Sequence, residues 1–245
     1  MPCTKSVLSG YLFLLLCGVL LFVSCKRGPK IDPADPGDLK RYRDENSALP
    51  PPAEGERRVV FIGDSITEGW KLAEYFPGRP FINRGISSQT TSQILLRFRA
   101  DVLDLQPSAV VILAGTNDIA GHAGPMRLEE IEANLASMSG LARAGRIAVV
   151  IASILPVRDH GRIINTSQRP PSQILALNAW IKSYCAEKEI VYLDYFTAMS
   201  DENGFLKEDF TSDGLHPNAA GYDAMRDLAG PAIDKALSTG VDNPR

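Results

Sequence analysis

The chain has 245 residues, of which 44% are hydrophobic and 22% are charged, and these values are typical of one globular domain with some additional sequence. Its formal net charge is −3 and its basic residues form no long run, which argues against a nucleic-acid-binding protein. Cys185 is the single cysteine beyond residue 25, so the body of the chain has neither an internal disulfide nor a cysteine-based metal site. We interpret Cys185, which lies in a helical pattern, as a small buried apolar residue.

The N-terminus has the features of an export signal. Lys5 precedes an almost wholly apolar stretch over residues 7–23, and we predict a signal peptide over residues 1–24. The tetrapeptide Phe-Val-Ser-Cys that ends at Cys25 resembles a bacterial lipoprotein cleavage site, which implies that an acylated Cys25 holds the protein on a membrane. An uncleaved membrane anchor and a signal peptide cut at another position are the alternatives. We therefore expect an exported lipoprotein of the bacterial cell envelope.

Residues 25–56 differ in composition from the rest of the chain. They contain many prolines and charged residues and few large apolar side chains. Such a composition favours an extended or disordered chain, so we predict a lipidated N-terminus followed by a flexible linker over residues 25–56. A short helical turn over residues 39–46 is compatible with the sequence. The folded domain is then expected over residues 57–240.

From residue 57 onward, short apolar runs alternate with amphipathic segments. Most of the runs lack polar alternation, as expected for strands that are buried on both faces of a parallel sheet. The predicted strands are 59–62, 81–83, 109–113, 147–151 and 191–193, and the predicted helices are 67–76, 91–105, 128–144, 172–189 and 218–237. This alternation predicts an α/β protein with a three-layer α/β/α sandwich and a parallel sheet of about five strands. Ligands of such sheets bind beyond the carboxyl ends of the strands, so we expect a site in the loops that follow them.

Four of these loops carry groups suited to catalysis. Ser65 ends a Gly-Asp-Ser sequence after the first strand, where a helix N-terminus would favour negative charge. The second loop offers the backbone N–H of Gly85, and the third contains Asn117, in a Gly-Thr-Asn-Asp sequence, as a side-chain donor. The fourth, Asp-Gly-Leu-His-Pro, places Asp213 three residues before His216. Each fragment alone is also explained by a helix cap, a loop glycine or an Asx turn.

Together, the four fragments resemble the sequence blocks of the SGNH (GDSL-type) hydrolase family, over nearly the whole predicted domain. The resemblance implies a flavodoxin-like α/β/α fold and hydrolysis of acyl esters through an acyl-enzyme, with no metal or other cofactor. Matched residue by residue, Ser65 is the nucleophile, His216 is the general base and Asp213 orients His216. The resemblance also implies an oxyanion hole formed by the N–H groups of Ser65 and Gly85 and the side chain of Asn117.

The loop over residues 155–171 is long for a connection between a strand and a helix, and loops of this kind are often functional. The loop contains three arginines, Arg158, Arg162 and Arg169. They could bind an anionic or polyol substrate, or they could be solvated surface residues. The other two histidines of the chain lack an aspartate three residues earlier, and we interpret them as solvated loop residues.

The sequence favours short acyl groups, such as acetyl groups on carbohydrates, because no large apolar insertion offers a lid for lipid. One alternative is a lipase or lysophospholipase that acts on longer acyl chains. Another is a non-catalytic lipoprotein that has the same fold and binds carbohydrate or a surface. A nucleotide- or flavin-binding domain is disfavoured, because the sequence lacks a glycine-rich phosphate loop. The expected partners are a small-molecule or glycan ester and the membrane, through lipidated Cys25, with no nucleic acid.

Overall fold

A parallel sheet lies at the centre of the computed structural model, which describes residues 32–239. Its strands are β1 (Val59–Gly63), β2 (Phe81–Gly85), β3 (Ala109–Leu113), β4 (Ala148–Ala152) and β5 (Val191–Leu193). They lie in the order β2-β1-β3-β4-β5, and every neighbouring pair is parallel. Each strand overlaps a predicted apolar run with small differences at the ends, so the predicted parallel sheet is confirmed.

Helices cover both faces of this sheet. They are α1 (Arg43–Ala48), α2 (Ser65–Glu68), α3 (Leu72–Tyr75), α4 (Thr91–Asp101), α5 (Thr116–Ile119), α6 (Leu128–Ala144), α7 (Asn165–Gln168), α8 (Pro171–Glu187), α9 (Tyr195–Met199) and α10 (Ala219–Thr239). Val60 and Ile62 of β1 pack with residues of α4, α6 and α8, whereas Val59 and Phe61 pack with residues of α3, α9 and α10. Because alternate side chains of β1 are buried on opposite faces, the three-layer α/β/α architecture is confirmed.

The first predicted helix, over residues 67–76, is broken into α2 and α3. The side chain of Asn83 donates hydrogen bonds to the carbonyl oxygens of Thr67 and Trp70, at 2.6 and 2.9 Å. These two carbonyls are thereby tied to β2 rather than to a continuing helix, and Gly69 ends α2 between them. The apolar pattern of this segment therefore predicted burial correctly but not the break.

The segment before the sheet departs most from the predicted fold. A flexible linker is predicted over residues 25–56, but residues 32–49 lie on the domain and include α1. Tyr42 is 5% exposed, and the guanidinium groups of Arg41 and Arg84 lie 4.7 and 4.6 Å from the centroid of its ring. Composition did not predict this packing, because one buried aromatic ring with cationic partners can hold a segment on the domain even when most of its other residues are solvated.

The predicted signal peptide and Cys25 lie outside the described residues. Within residues 32–239, no helix is both long enough and apolar enough to cross a membrane. The acylation of Cys25 therefore stays a prediction.

The approach of α2 to the sheet positions the start of that helix. A Cβ atom added to Gly63 would lie 2.2 Å from Thr67 Oγ1, and one added to Gly85 would lie 2.1 Å from the backbone nitrogen of Glu68. Glycine is needed at both positions because any side chain would push α2 away from the ends of β1 and β2. Ser65, the first residue of α2, is thus held at the carboxyl edge of the sheet, where ligands bind.

Candidate active site

Ser65, His216 and Asp213 form one hydrogen-bonded row, although Ser65 and His216 are 151 residues apart in the sequence. Ser65 Oγ lies 3.0 Å from His216 Nε2, and His216 Nδ1 lies 2.7 Å from Asp213 Oδ2. With Nδ1 protonated and donating to Asp213, Nε2 is left to accept the hydroxyl hydrogen of Ser65. An imidazole in this position can remove the hydroxyl proton when the oxygen attacks an electrophile.

The carboxylate of Asp213 is held by the backbone of its own loop. Its Oδ1 accepts hydrogen bonds from the N–H groups of Leu215 and His216, at 2.9 and 2.8 Å. Partial burial alone would raise the pKa of Asp213, but the hydrogen bonds from His216 and Leu215 outweigh burial and lower the pKa to about 2. Asp213 is therefore ionised at neutral pH and can hold the imidazole in one tautomer and one orientation.

Asn165 is a supporting residue that the sequence did not reveal. Its buried Nδ2 donates to the carbonyl oxygens of Asp213 and Arg158, at 2.8 and 2.9 Å, and so ties the histidine loop to the long loop after β4. The guanidinium of Arg158 donates to the carboxylate of Asp201 at 2.8 Å and to the carbonyl of Leu206 at 2.6 Å. Arg158 therefore holds these loops together. For Asn165 and for Arg158, the sequence contained no indication of this structural role beyond their place in a long loop.

Asn117 lies in α5, directly after β3, and is 3% exposed. Its Nδ2 donates to the carbonyl oxygen of Gln89 at 3.1 Å, and its Oδ1 accepts from the guanidinium of Arg169 at 3.3 Å. Arg169 also donates to Thr116 Oγ1 at 3.1 Å. Because a cation occupies Oδ1, the amide group has one orientation, in which a second Nδ2 hydrogen remains for a ligand.

The three arginines of the long loop have different surroundings. Arg169 is 3% exposed, and burial lowers its pKa, while the charges of Asp64 and Asp213 oppose that effect. Arg158 is engaged by neighbouring loops, and Arg162 is exposed in the turn over residues 160–163. Of the three predicted arginines, the structure brings only Arg169 into contact with Asn117.

Asp64 precedes the proposed nucleophile and is 1% exposed. Its Oδ1 accepts the N–H of Ile66 at 3.0 Å and caps α2, whereas its Oδ2 has no hydrogen-bond partner within residues 32–239. Burial raises the pKa of Asp64 to about 6, against the hydrogen bond from Ile66 and the charges of His216 and Arg169. The carboxyl group beside Ser65 therefore resists ionisation far more than an exposed aspartate does.

Gly85 does not fit the predicted role of an oxyanion donor. Its N–H already donates to Asn83 Oδ1 at 2.8 Å, within β2. The absence of a side chain at Gly85 serves the close approach of Glu68 in α2, which is a packing role. The prediction for Gly85 is therefore wrong, because the glycine is used for packing and its N–H is engaged.

Ser88 is the better candidate in the loop after β2. Its φ of 66° lies in the left-handed region, and none of the described residues accepts a hydrogen bond from its N–H. Its neighbours contact the site on both sides, because Ser87 binds the carboxylate of Glu68 in α2 and Gln89 accepts from Asn117. A serine in this conformation has no distinctive sequence signal, which is why the pattern pointed to the nearby glycine.

The other reactive groups of the described chain make no hydrogen bond to the Ser65 hydroxyl. The hydroxyl of Ser87 donates to Glu68. Cys185 is buried as predicted, and burial raises the pKa of its thiol to about 12. His122 is half-buried rather than solvated as expected, with its pKa lowered by burial and by the charge of Arg169, whereas His160 is exposed in a loop turn. His216 is the histidine that contacts a serine hydroxyl in the described residues.

A serine, a histidine and an aspartate in hydrogen-bonded order, beside available N–H donors, are the arrangement found in the class of serine hydrolases. The family model described as the GDSL-like Lipase/Acylhydrolase family matches residues 61–224, which include all three residues. The chain belongs to this family and is a carboxylic ester hydrolase.

Individual relatives agree with this assignment. A GDSL-like lipase from Bacteroides thetaiotaomicron, known from a crystal structure, is 42% identical, with a TM-score of 0.77 and coverage of 82% of this chain and 98% of that chain. Esterase TesA of Pseudomonas aeruginosa is 25% identical over 193 residues, which cover 73% of this chain and 89% of that protein. Lipoprotein YqeF of Bacillus subtilis is 37% identical over 82 residues, which cover 27% of this chain and 34% of that protein, about a third of its length.

Proposed function

We propose that this protein hydrolyses short-chain acyl esters, with Ser65 as the nucleophile, His216 as the general base and Asp213 as the residue that orients His216. The observation that carries the proposal is the row of contacts from Ser65 Oγ through the imidazole to Asp213, at 3.0 and 2.7 Å. A serine hydroxyl is a weak nucleophile at its free pKa, and a base within hydrogen-bond reach removes that limit.

The reaction proceeds in two halves. In the first half, Ser65 Oγ bonds to the carbonyl carbon of the ester and gives its proton to His216 Nε2. The tetrahedral intermediate then breaks its bond to the alcohol, which leaves with that proton. In the second half, water attacks the acyl-enzyme with His216 again as the base, and the carboxylic acid and the free hydroxyl of Ser65 are released.

Three donors stabilise the oxygen that becomes negative in this reaction: the N–H of Ser65, the N–H of Ser88 and Nδ2 of Asn117. The N–H of Ser65 is in the first turn of α2, where no carbonyl within the helix can accept it. Ser88 replaces Gly85 in this set because the N–H of Gly85 is engaged by Asn83. Donors fixed before the reaction stabilise the charged transition state more than the neutral ester, and this difference lowers the barrier.

A short acyl group, such as an acetyl group on a carbohydrate, fits the character of the site. The side chains of His216 and Asp213 are 43% and 37% exposed, and the buried neighbours Asn117 and Arg169 are polar. A long acyl chain gains about 0.8 kcal/mol for each methylene that it buries against apolar groups, and these polar neighbours offer little of that gain. A site that is open and polar therefore favours a small acyl group on a hydrophilic alcohol.

We also propose that Cys25 is acylated and that the protein works in the bacterial cell envelope. The Phe-Val-Ser-Cys sequence and the similarity of part of the chain to a protein named as a lipoprotein support this location. Growth of expressing cells with a labelled fatty acid tests it. We expect the full chain to carry the label and to sediment with membranes, and Cys25→Ser to lose both properties. Equal labelling of the two forms would end this part of the proposal.

The nucleophile is tested with a fluorophosphonate probe, which labels an activated serine without any assumption about substrate. We expect labelling of the native protein, none of Ser65→Ala, and a modified peptide that contains Ser65. The acyl preference is tested with p-nitrophenyl esters of increasing chain length and with acetylated glycans. Activity confined to long chains would favour a lipase instead, and a protein that binds acetylated glycans but neither labels nor hydrolyses them would favour a non-catalytic binder.

A further inference from the structure

Residues 32–49, which we name the N-terminal strap, cross the loop that joins β2 to α4. The hydroxyl of Tyr42 donates to the carbonyl oxygen of Gly85, at the start of that loop. At the other end of the loop, Nε2 of Gln89 donates to the carbonyl oxygen of Gly37 at 2.9 Å. The strap therefore holds both ends of a five-residue connection, residues 86–90, by hydrogen bonds that bury their polar atoms.

The strap itself is rigidly attached. Asn46 donates to the carboxylate of Asp101 at 2.7 Å and accepts from the guanidinium of Arg84 at 2.8 Å. Arg84 also stacks on the ring of Tyr42, and burial raises the pKa of the Tyr42 hydroxyl, which keeps it a hydrogen-bond donor. A side chain that is already buried and packed against a guanidinium group loses little further entropy when its hydroxyl holds the loop.

The loop beneath the strap belongs to the oxyanion side of the site. It contains Ser88, whose φ of 66° lies in the left-handed region, which is strained for a residue with a side chain. It also contains Gln89, whose carbonyl oxygen accepts from Asn117 at 3.1 Å and whose side chain accepts from the buried Arg97 at 2.6 Å. A strained loop keeps such a conformation only where its surroundings hold it, and the strap supplies two of those contacts.

We infer that the N-terminal strap is a positioning element of the active site, and that Tyr42 holds the loop over residues 86–90 so that Ser88 and Asn117 face the reacting carbonyl group. This inference rests on the proposed function of that loop as part of the oxyanion hole. It makes the functional unit begin near residue 32 rather than at residue 57. Tyr42 acts through the loop and does not touch substrate, so it is a positioning residue.

Tyr42→Phe tests the inference, because the substitution keeps the ring and removes only the hydroxyl. One oxyanion donor is worth roughly 10²–10³ in kcat, so a displaced donor should lower kcat by about 5- to 30-fold at nearly constant KM. Rates are divided by the concentration of active sites titrated with a fluorophosphonate. Tyr75→Phe is the matched control, because its hydroxyl lies on α3 and bonds to the carbonyl of Ala219 at 3.4 Å. We expect this control to keep the native kcat.

Two further measurements separate positioning from stability. In an Asn117→Ala background, the kinetic cost of Tyr42→Phe should be smaller than in the native background, since one of the two donors that the loop positions is already missing and only Ser88 is left to be displaced. Amide hydrogen exchange over residues 86–90 should be faster in Tyr42→Phe than in Tyr75→Phe, and this readout needs no substrate. Hydrogen exchange therefore tests whether the strap holds this loop even if the fluorophosphonate does not label Ser65 in the native protein. A native kcat per titrated site with only a lower Tm, or unchanged exchange over 86–90, would overturn the inference.

Discussion

The two halves of the active site differ in how far they are buried. The acid–base half, His216 and Asp213, lies on a loop, with side chains 43% and 37% exposed. The other half, which we propose as the oxyanion half and which contains Asn117, Arg169 and Asp64, is buried, and each of these residues is at most 3% exposed. One half is open to water and the other belongs to the interior.

This difference in burial predicts how a substitution in each half will affect the rate of catalysis and the stability of the fold. A side chain in the exposed half can be removed with little effect on folding, because water satisfies the groups that it leaves behind. A buried polar side chain has partners that are left without hydrogen bonds when it is removed, and each such orphan costs about 1–3 kcal/mol. We therefore expect the exposed half to show large kinetic effects at nearly native stability and the buried half to show both kinds of effect.

The largest expected effect is at the centre of the row. Ser65→Ala and His216→Ala should each lower kcat by roughly 10⁴–10⁶, because each removes the activated nucleophile. The Tm of His216→Ala should stay close to the native value. The measurement is steady-state hydrolysis of a short p-nitrophenyl ester together with thermal unfolding. A comparable kinetic loss in Ser87→Ala, with none in Ser65→Ala, would show that the other serine is the nucleophile.

Asn117→Ala should show the mixed behaviour of the buried half. We expect kcat to fall by roughly 10²–10³, the usual cost of one oxyanion donor. Stability should fall as well, by about 2–3 kcal/mol, because Gln89 and Arg169 each lose a hydrogen-bond partner. The Tm should therefore drop by roughly 4–12 °C, given about 2–4 °C for each kcal/mol in a domain of this size. A native Tm with the same kinetic loss would contradict the distinction between the two halves.

The sequence pointed to every residue of the exposed half but only to some residues of the buried half. The row of Ser65, His216 and Asp213 was expected because its sequence fragments resemble the blocks of the SGNH family, and the loops after parallel strands converge at one edge of the sheet. The predicted bounds of the helix over residues 128–144 agree with α6, because its apolar stripe has a regular helical period. These features depend on local pattern and on a general rule of topology, both of which the sequence contains.

The rest depends on contacts between distant residues. Gly85 was assigned to the oxyanion hole because glycine is the usual signal for backbone access, but a packed helix uses that glycine and a serine takes the left-handed position. The strap was assigned to a linker because its hold on the domain comes from Tyr42, which is 43 residues from its partner. The sequence could not distinguish Arg169 from the other arginines of its loop as a residue of the site. Its contact with Asn117 joins residues that are far apart in the chain, and no local pattern predicts it.

Arg169→Met tests whether that burial serves catalysis. Without the guanidinium, Oδ1 of Asn117 has no donor and its amide can rotate away from the reacting carbonyl group. We expect kcat to fall by about 10-fold, less than for Asn117→Ala because the amide remains present. Arg162→Met is the matched control, an exposed arginine of the same loop, and should stay within twofold of the native rate. If both variants raise KM alone and leave kcat unchanged, the arginines bind substrate and do not orient Asn117.

An effect on stability alone, with no kinetic change required, is expected at Asp64. Its pKa in the folded protein is about 6, above the ordinary value of 3.8, so between pH 4 and 6 the folded state binds more protons than the unfolded state does. The free energy of unfolding must therefore decrease as pH rises through this window, by up to about 3 kcal/mol from this one group. Asp64→Asn keeps an oxygen for the N–H of Ile66 but cannot titrate.

Urea unfolding of the native protein and of Asp64→Asn across pH 4 to 8 measures this contribution as a difference, in which the titration of other groups cancels. We expect the variant to gain stability relative to the native protein as pH rises from 4 to 6, and the difference to be constant above pH 7. Two curves that run parallel over the whole range would mean that water reaches the second carboxylate oxygen. The oxyanion half would then be less dry than its burial indicates, and the contrast with the exposed half would weaken accordingly.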